Sequence, residues 1–406
     1  MGDSCLASVK IVQERCSRCC VCHSLCPFEA IDRDPETGKV EINNQKCQVC
    51  GICYSACPVT AIDMAYYDYD HLLEYVKSAM QRGRVDALVT MCRGSSPSNG
   101  EVADILAAVG VPAESHLPLR VPCAGRIPTD FTFKALQAGV NRIVSIQCPD
   151  RFCRMKEGTE IETRRMILAG LVLEQLGYPP ETLTVVKHAR RAVWSNDKCV
   201  GCDKCVFVCP YQAIEAESFS SPTINIERCV GCGACQLVCP HDAIQVRGYE
   251  FADVLASYGK APSALRTRGK PAILVFSCQW SEYSALDFPD VLRDEGAVLM
   301  EVPCFKGLDP VHVTNAFRCG FDGVMGVVCP EKDCKLPQGR DVAVRQFEVL
   351  IAALKRMGLE ERFEVHELSP RCEGEFRPRL AAFSRKLASM TPIIQVAKEG
   401  VTARTG

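Results

Sequence analysis

Cys16-Ser-Arg-Cys19-Cys20-Val-Cys22-His-Ser-Leu-Cys26-Pro27 places three cysteines two residues apart, then a fourth after three more residues, directly before a proline. The same spacing returns at Cys47, Cys50, Cys53 and Cys57-Pro58. It appears twice more, at Cys199, Cys202, Cys205 and Cys209-Pro210 and at Cys229, Cys232, Cys235 and Cys239-Pro240. Thiols this close along a chain are poor disulfide partners for one another, but they can wrap a tight loop around one corner of an inorganic centre. Cys20 does not fit the spacing, which only Cys19 preserves. Cys20 and Cys5 are therefore read as spare buried thiols.

This spacing resembles that of bacterial ferredoxins with two clusters, in which each triplet binds one [4Fe–4S] cubane and the proline-flanked cysteine crosses to the neighbouring one. The crossing rule gives four ligand sets. Cluster one takes Cys16, Cys19, Cys22 and Cys57, and cluster two takes Cys47, Cys50, Cys53 and Cys26. Cluster three takes Cys199, Cys202, Cys205 and Cys239, and cluster four takes Cys229, Cys232, Cys235 and Cys209. Proline ends each loop with a fixed φ and no N–H to satisfy. An Ala-Ile pair follows each one (Ala30-Ile31, Ala61-Ile62, Ala213-Ile214, Ala243-Ile244) and is expected to pack against the inorganic core and exclude water. Structural zinc wants four ligands in two pairs, not two triplets plus two proline-flanked singles.

The rest of the chain sets the context. It has 406 residues, too many for one hydrophobic core, and 28 cysteines. A small secreted protein with such a count would carry a disulfide framework. A long chain without a signal-peptide-like apolar segment and with clustered cysteines instead suggests the reducing cytoplasm of an anaerobe. A net charge of -2 gives no reason to expect nucleic acid or an anionic membrane as partner. No apolar run is long enough to suggest a membrane span.

Sliding the chain along itself shows a duplication with an offset of 181 to 186 residues. Cys16 recurs as Cys199, Cys47 as Cys229, Cys92 as Cys278 and Cys123 as Cys304. Cys148 recurs as Cys329 and Cys153 as Cys334. The expected architecture is multidomain, α+β and α/β: two ferredoxin-like dicluster modules alternating with two flavodoxin-like parallel α/β modules. The first repeat divides into a dicluster module at 1–63, a connector helix at 64–84 and an α/β module at 85–190. The second divides into a dicluster module at 191–247, a connector helix and linker at 248–270 and an α/β module at 271–385, followed by a tail at 386–406. Leu72, Leu73, Val76, Ala79 and Met80 form the stripe of the first connector, after Asp70 as N-cap. Phe251, Val254, Leu255 and Tyr258 form that of the second, and 260–270 reads as linker.

In the first α/β module, strands are expected at Val85–Thr90, Leu117–Val121 and Arg142–Ile146, with helices at Glu101–Val109, Phe131–Gln137 and about Thr163–Leu176. The second copy repeats this with strands at Ala272–Phe276, Val298–Val302 and Val324–Val328 and a helix at Val342–Met357. Strands alternating with helices argue for a parallel sheet, whose ligands sit beyond the carboxyl ends of the strands. Two further thiol sets fall at that edge: Cys92, Cys123, Cys148, Cys153 and Cys278, Cys304, Cys329, Cys334. Spacing alone leaves three readings: a [2Fe–2S] rhomb with two ligands per iron, a zinc ion, or metal-free thiols able to form a disulfide.

Val121-Pro-Cys-x-Gly-Arg126, the helix end Lys134-Ala-Leu-Gln-Ala-Gly139, Cys148-Pro149-x3-Cys153 and Cys278-Gln-Trp280 resemble the delta iron–sulfur subunit of methyl-viologen-reducing hydrogenase. The resemblance covers roughly 85–185 and 271–368. It implies one [2Fe–2S] cluster per α/β module and electron delivery to the flavin subunit of heterodisulfide reductase-type complexes. The chain departs from the family pattern at Ser95 and Ser281, where a second cysteine commonly stands, and at Phe305-Lys306-Gly307, which replaces x-Gly-Arg. Cys372 is a candidate fifth thiol for the second site, and Cys319 reads as core.

No G-x-G-x-x-G follows a strand, so no flavin or nicotinamide site is expected on this chain itself. No Cys-Cys-Gly motif, nickel-site cysteine pairs or Ser/His/Asp motif appears. The expected function is an iron–sulfur electron-transfer subunit of an anaerobic multi-subunit oxidoreductase, not catalytic alone. It would relay electrons between a hydrogenase- or formate dehydrogenase-type donor and a heterodisulfide reductase-type flavin subunit. The alternatives are a redox sensor or adaptor with thiol-switch α/β domains, and a thiol/disulfide reductase acting at one α/β cysteine site.

Overall fold

The computed structural model describes residues 6–83, 85–95, 97–216, 221–266, 269–281, 289–336 and 338–394. The chain divides into two compact units, Met1–Arg190 with Arg371–Glu373, and Arg191–Pro370 with Gly374–Gly406.

In the first unit, the cysteine loops lie on two antiparallel ribbons. Val9–Ile11 pairs with Ile62–Met64, and Ile31–Arg33 pairs with Val40–Ile42. Val9, Ile31, Val40 and Ile62 turn inward and form a small core with the cysteines. Each triplet ends in a helix of barely more than a turn, Val21–Leu25 and Ile52–Ala56. Both helices stop at the fourth cysteine because the residue before a proline is driven out of the helical region.

The connector helix, Tyr69–Arg82, is capped by Asp68, whose carboxylate accepts from the N–H groups of Asp70 and His71. The cap therefore lies two residues before the expected Asp70, which sits in the first turn. Leu72, Leu73 and Val76 are buried against the α/β core, as the stripe requires.

The α/β sheet of this unit has four strands, all parallel. Their order is His116–Val121, Ala87–Cys92, Arg142–Gln147, Leu183–Lys187. The two central strands are buried along almost their whole length, as parallel strands covered on both faces must be. The first strand runs further than expected, so Cys92 is its last residue rather than a loop residue. The closing helix starts at Gly158 instead of near Thr163. Leu183–Lys187 is a half-exposed edge strand that the sequence reading did not include.

The second unit repeats the plan. Its ribbons pair Ala192–Trp194 with Ile244–Val246 and Ile214–Glu215 with Thr223–Ile224. Its parallel sheet runs Ala297–Val302, Ile273–Cys278, Gly323–Val328, Phe363–Glu367. Part of the expected linker is helical, at Ala261–Arg266. The expected tail begins inside a helix, Phe376–Ala388, whose Phe376, Leu380, Phe383 and Leu387 pack on Ile273, Val275, Met325 and Val327. That i, i+4, i+7, i+11 spacing is an amphipathic stripe, so the α/β module extends past 385.

A short segment from late in the chain belongs to the first unit. Cys372–Glu373 pairs antiparallel with Leu6–Ala7, and the buried Arg371 donates through Nη1 to the carbonyls of Asn44 (3.3 Å) and Gln45 (2.5 Å). Tyr66 Oη donates to the carbonyl of Cys372 at 3.1 Å. Cys372 is disulfide-bonded in this strand, so it is not an extra ligand for the second α/β site. Cys5 lies outside the described residues. Cys319 is half-buried at the end of a helix rather than in the core. Among the described residues no helix is long and apolar enough to cross a membrane.

Candidate iron–sulfur centres

The four cysteine loops share one backbone. In each, the second residue after the first cysteine has positive φ (Arg18, Val49, Gly201, Gly231). So does the residue after the second cysteine (Cys20, Gly51, Asp203, Gly233) and the second residue after proline (Glu29, Thr60, Gln212, Asp242). Left-handed turns curl the loop so that its amides face its own sulfurs. Arg18, Val49 and Gly201 donate N–H to Cys16, Cys47 and Cys199 at 3.4, 3.4 and 3.5 Å. Cys20 occupies one of these turns half-exposed, its thiol donating to the carbonyl of Arg18 at 3.3 Å; it is not a buried thiol.

The Ala-Ile pairs are all buried. Their alanines have a second use: Ala30, Ala61, Ala213 and Ala243 donate N–H to the proline-flanked Cys26, Cys57, Cys209 and Cys239 at 3.2 to 3.3 Å. Cys26 lines a cavity with Cys47, Cys50 and Cys53. Cys239 lines one with Cys199, Cys202 and Cys205. Burial pushes Cys50 up to about 12, and the neighbouring Cys47 and Cys26 sulfurs add to it. Burial raises Cys22 as well, with further contributions from Cys57, Cys16 and Cys19. Cys235 is raised by burial and then by Cys232, Cys229 and Cys209. Closely set sulfurs, some of them buried, that penalise one another's charge suit a polycationic core that takes them all as thiolates. The residues present therefore fit an iron–sulfur core.

At the carboxyl edge of the first sheet, Cys92 ends one strand and Cys148 follows another by one residue. Their sulfurs lie 3.0 Å apart, and the Cys148 N–H donates to Cys92 Sγ at 3.2 Å. The thiol hydrogen bond from Cys148 pulls Cys92 down to about 6, and the same bond raises Cys148. Cys123 and Cys153 form a second pair of the same kind: their hydrogen bond raises Cys123 and brings Cys153 down to about 7. The N–H groups of Thr159, in the first turn of the Gly158–Gln175 helix, and of Met155 also reach Cys153. Ser95 is fully buried and donates to the Cys92 carbonyl at 2.8 Å.

In the second sheet the thiols converge at the same edge, but Cys329 meets both Cys278 and Cys334. Cys278 and Cys329 lie 3.4 Å apart. Cys304 and Cys334 face each other across Gly339, where a Cβ would fall 2.9 and 3.1 Å from their sulfurs. A Cβ on Gly158 would lie 2.1 Å from Cys123 Sγ. Each closing helix thus begins with a glycine because a sulfur occupies the space a side chain needs. The sequence reading missed these two glycines, although each stands five residues after the last cysteine of its set, at the same repeat offset. Among the described residues no three His, Cys, Asp or Glu side chains converge to hold one metal ion. At the first sheet edge the sulfurs come instead as two pairs.

The sequence profile of the methyl-viologen-reducing hydrogenase delta subunit matches residues 87–195 and 273–391, more than half of the chain. Profiles of 4Fe-4S dicluster domains match residues 8–58 and 198–243. A subunit of the ferredoxin/F(420)H(2)-dependent CoB-CoM heterodisulfide reductase of Methanosarcina acetivorans is 34% identical over 202 residues, 48% of this chain and 25% of that protein. The corresponding subunit of the ferredoxin:CoB-CoM heterodisulfide reductase of Methanosarcina mazei is 32% identical over 212 residues, 51% of this chain and 26% of that protein. The chain thus spans about a quarter of the length of these reductase proteins. An iron–sulfur subunit of the F420-non-reducing hydrogenase of Archaeoglobus profundus is 28% identical over 127 residues, 30% of this chain and 93% of that protein. The chain belongs to the family of the methyl-viologen-reducing hydrogenase delta subunit, with two such domains joined in tandem to two 4Fe-4S dicluster domains.

Proposed function

We propose that this chain is an electron relay with six iron–sulfur centres: four [4Fe–4S] cubanes with the crossed ligand sets given above, and one [2Fe–2S] rhomb at each sheet edge. The observation that carries the sheet-edge reading is the pairing of sulfurs, Cys92 with Cys148 and Cys123 with Cys153, since a rhomb takes two thiolates on each iron. The crossed cubane sets are supported by Cys26 and Cys239, each of which lines a cavity with the triplet of the other motif. The strand order supports a flavodoxin-like reading of both α/β modules, which puts their thiols at the ligand-binding edge.

When bound, the clusters supply one-electron chemistry. The residues of this chain hold them, donate N–H groups to their sulfurs and keep water out with the Ala-Ile pairs. In the cell the relay would run between a hydrogenase- or formate dehydrogenase-type donor and a flavin subunit of heterodisulfide reductase type, in an anaerobe's cytoplasm. The names of the relatives, heterodisulfide reductase subunits and a hydrogenase iron–sulfur subunit, support the hydrogenase and heterodisulfide reductase ends of this placement. Co-purification of the tagged chain from its native host tests it: a flavoprotein and a hydrogenase or formate dehydrogenase should co-elute, and a chain recovered alone at full iron loading speaks against it.

One observation favours a second reading. A thiol held near 6 beside a partner 3.0 Å away is also how a disulfide switch is built, and Cys92 and Cys148 meet that description. A sensor of this kind binds about 16 irons per chain, against about 20 for the relay.

A further inference from the structure

Arg126 is 1% exposed, among the most deeply buried large side chains of the protein. It lies on the turn that follows Cys123. Its Nη2 donates to the thioether of Met64, at 3.3 Å, and its Nε and Nη1 meet no hydrogen-bond partner among the described residues. The guanidinium lies 5.5 Å from the ring centre of Tyr67, a weak partner for a full charge. A buried cation is costly unless an anion faces it.

This side chain packs on one thiol loop and is carried by the turn that follows a second thiol set. Cys123 of the sheet-edge set precedes it by three residues, and Cys50 of the loop lies close enough to Cys123 to raise it. Gly51, inside the Cys47–Cys53 loop, is where a Cβ would fall 2.6 Å from Arg126 Cβ and 2.9 Å from its Nε. Nothing but glycine lets the arginine lie this close to the loop. Its charge also favours the thiolate form of Cys50, against the burial that dominates there.

The second repeat reaches the same arrangement by a different route. In Cys304-Phe305-Lys306-Gly307 the cation and the glycine have exchanged places relative to Gly125-Arg126. Lys306 is again 1% exposed, and its Nζ lies 5.4 Å from the ring centre of Tyr211. Its charge favours the thiolate of Cys232, the counterpart of Cys50, again against burial. The partner glycine now packs backbone to backbone, with a Cβ on Gly233 falling 3.0 Å from Gly307 Cα. A buried cation kept at one junction while its sequence position changes points to the charge as what matters.

We propose that Arg126 is an electrostatic tuning residue shared by two centres, the one held by Cys26, Cys47, Cys50 and Cys53 and the one held by Cys92, Cys123, Cys148 and Cys153. Lys306 has this role in the second repeat. The inference rests on the relay reading above. Arg126 acts by charge alone: it lowers the energy of added negative charge on either side of it.

The test is an EPR-monitored redox titration of the full chain with reconstituted clusters, with iron counted in parallel. Arg126→Gln should make both neighbouring centres harder to reduce, on the order of tenfold in the reduction equilibrium, or about 59 mV for a one-electron couple. Arg126→Lys should restore most of the shift, and Arg164→Gln, which removes an exposed surface cation, should leave both centres unchanged. If Arg126→Gln loses its clusters, Lys306→Gln is read instead and should shift the two centres of the second repeat. Wild-type potentials in the Gln variants overturn the inference while leaving the relay intact, and a shift confined to the cubane overturns the shared role. Wild-type protein with about 16 irons and no [2Fe–2S] signal overturns the relay and the inference together.

Discussion

Gly158 and Arg126 are ordinary letters in the sequence whose meaning depends on what lies beside them in space. The cysteine ligand candidates were legible because iron–sulfur chemistry imposes its spacing on consecutive residues. No such local rule marks a glycine whose missing side chain makes room for a sulfur, or an arginine whose neighbours come from residues 51, 64 and 67. Gly158→Ala places a Cβ where Cys123 Sγ sits, so it should cost the chain the first sheet-edge centre, about two irons, with the cubanes kept. Gly339→Ala meets its sulfurs at 2.9 and 3.1 Å rather than 2.1 Å and should be milder. Iron quantitation with EPR on both variants checks this, and an unchanged signal in Gly158→Ala would show that Cys123 does not need that space.

At the scale of elements, central strands and connector helices were readable because burial on both faces leaves long apolar runs and burial on one face leaves a stripe. The fourth strands, Leu183–Lys187 and Phe363–Glu367, are edge strands with mixed exposure and carry no such pattern. The Gly158–Gln175 helix was read as starting late because its first turn is built around thiols, not around an apolar face. The helix Asn99–Ala108 has a capping box in which Ser98 Oγ accepts from the Glu101 N–H and the Glu101 carboxylate accepts from the Ser98 N–H. Ser98→Ala should cost about 1 kcal/mol, read as a lower urea midpoint with an unchanged slope. The crossed loops give a second element-level prediction. Cys57→Ser should expose Cys16, Cys19 and Cys22 to alkylation and leave Cys47, Cys50 and Cys53 protected, as read by peptide mass spectrometry. Exposure of the second triplet instead would mean that each motif closes its own cluster.

For the whole molecule, the duplication was plain in the cysteine offsets, and the two units repeat one plan of ribbons, connector helix and four-stranded parallel sheet. The strand Cys372–Glu373 was not foreseeable: two residues hold no periodicity, and their partner lies more than 360 residues earlier. The central claim is that the sheet-edge thiols of both units hold iron, which makes the chain a relay of six centres. Iron quantitation on the anaerobically purified full chain, paired with EPR after partial reduction, tests that claim most directly. The account predicts about 20 irons per chain and a [2Fe–2S] signal that is halved by Cys148→Ser alone and abolished when Cys329→Ser is added. About 16 irons and no such signal in fully loaded protein would contradict it.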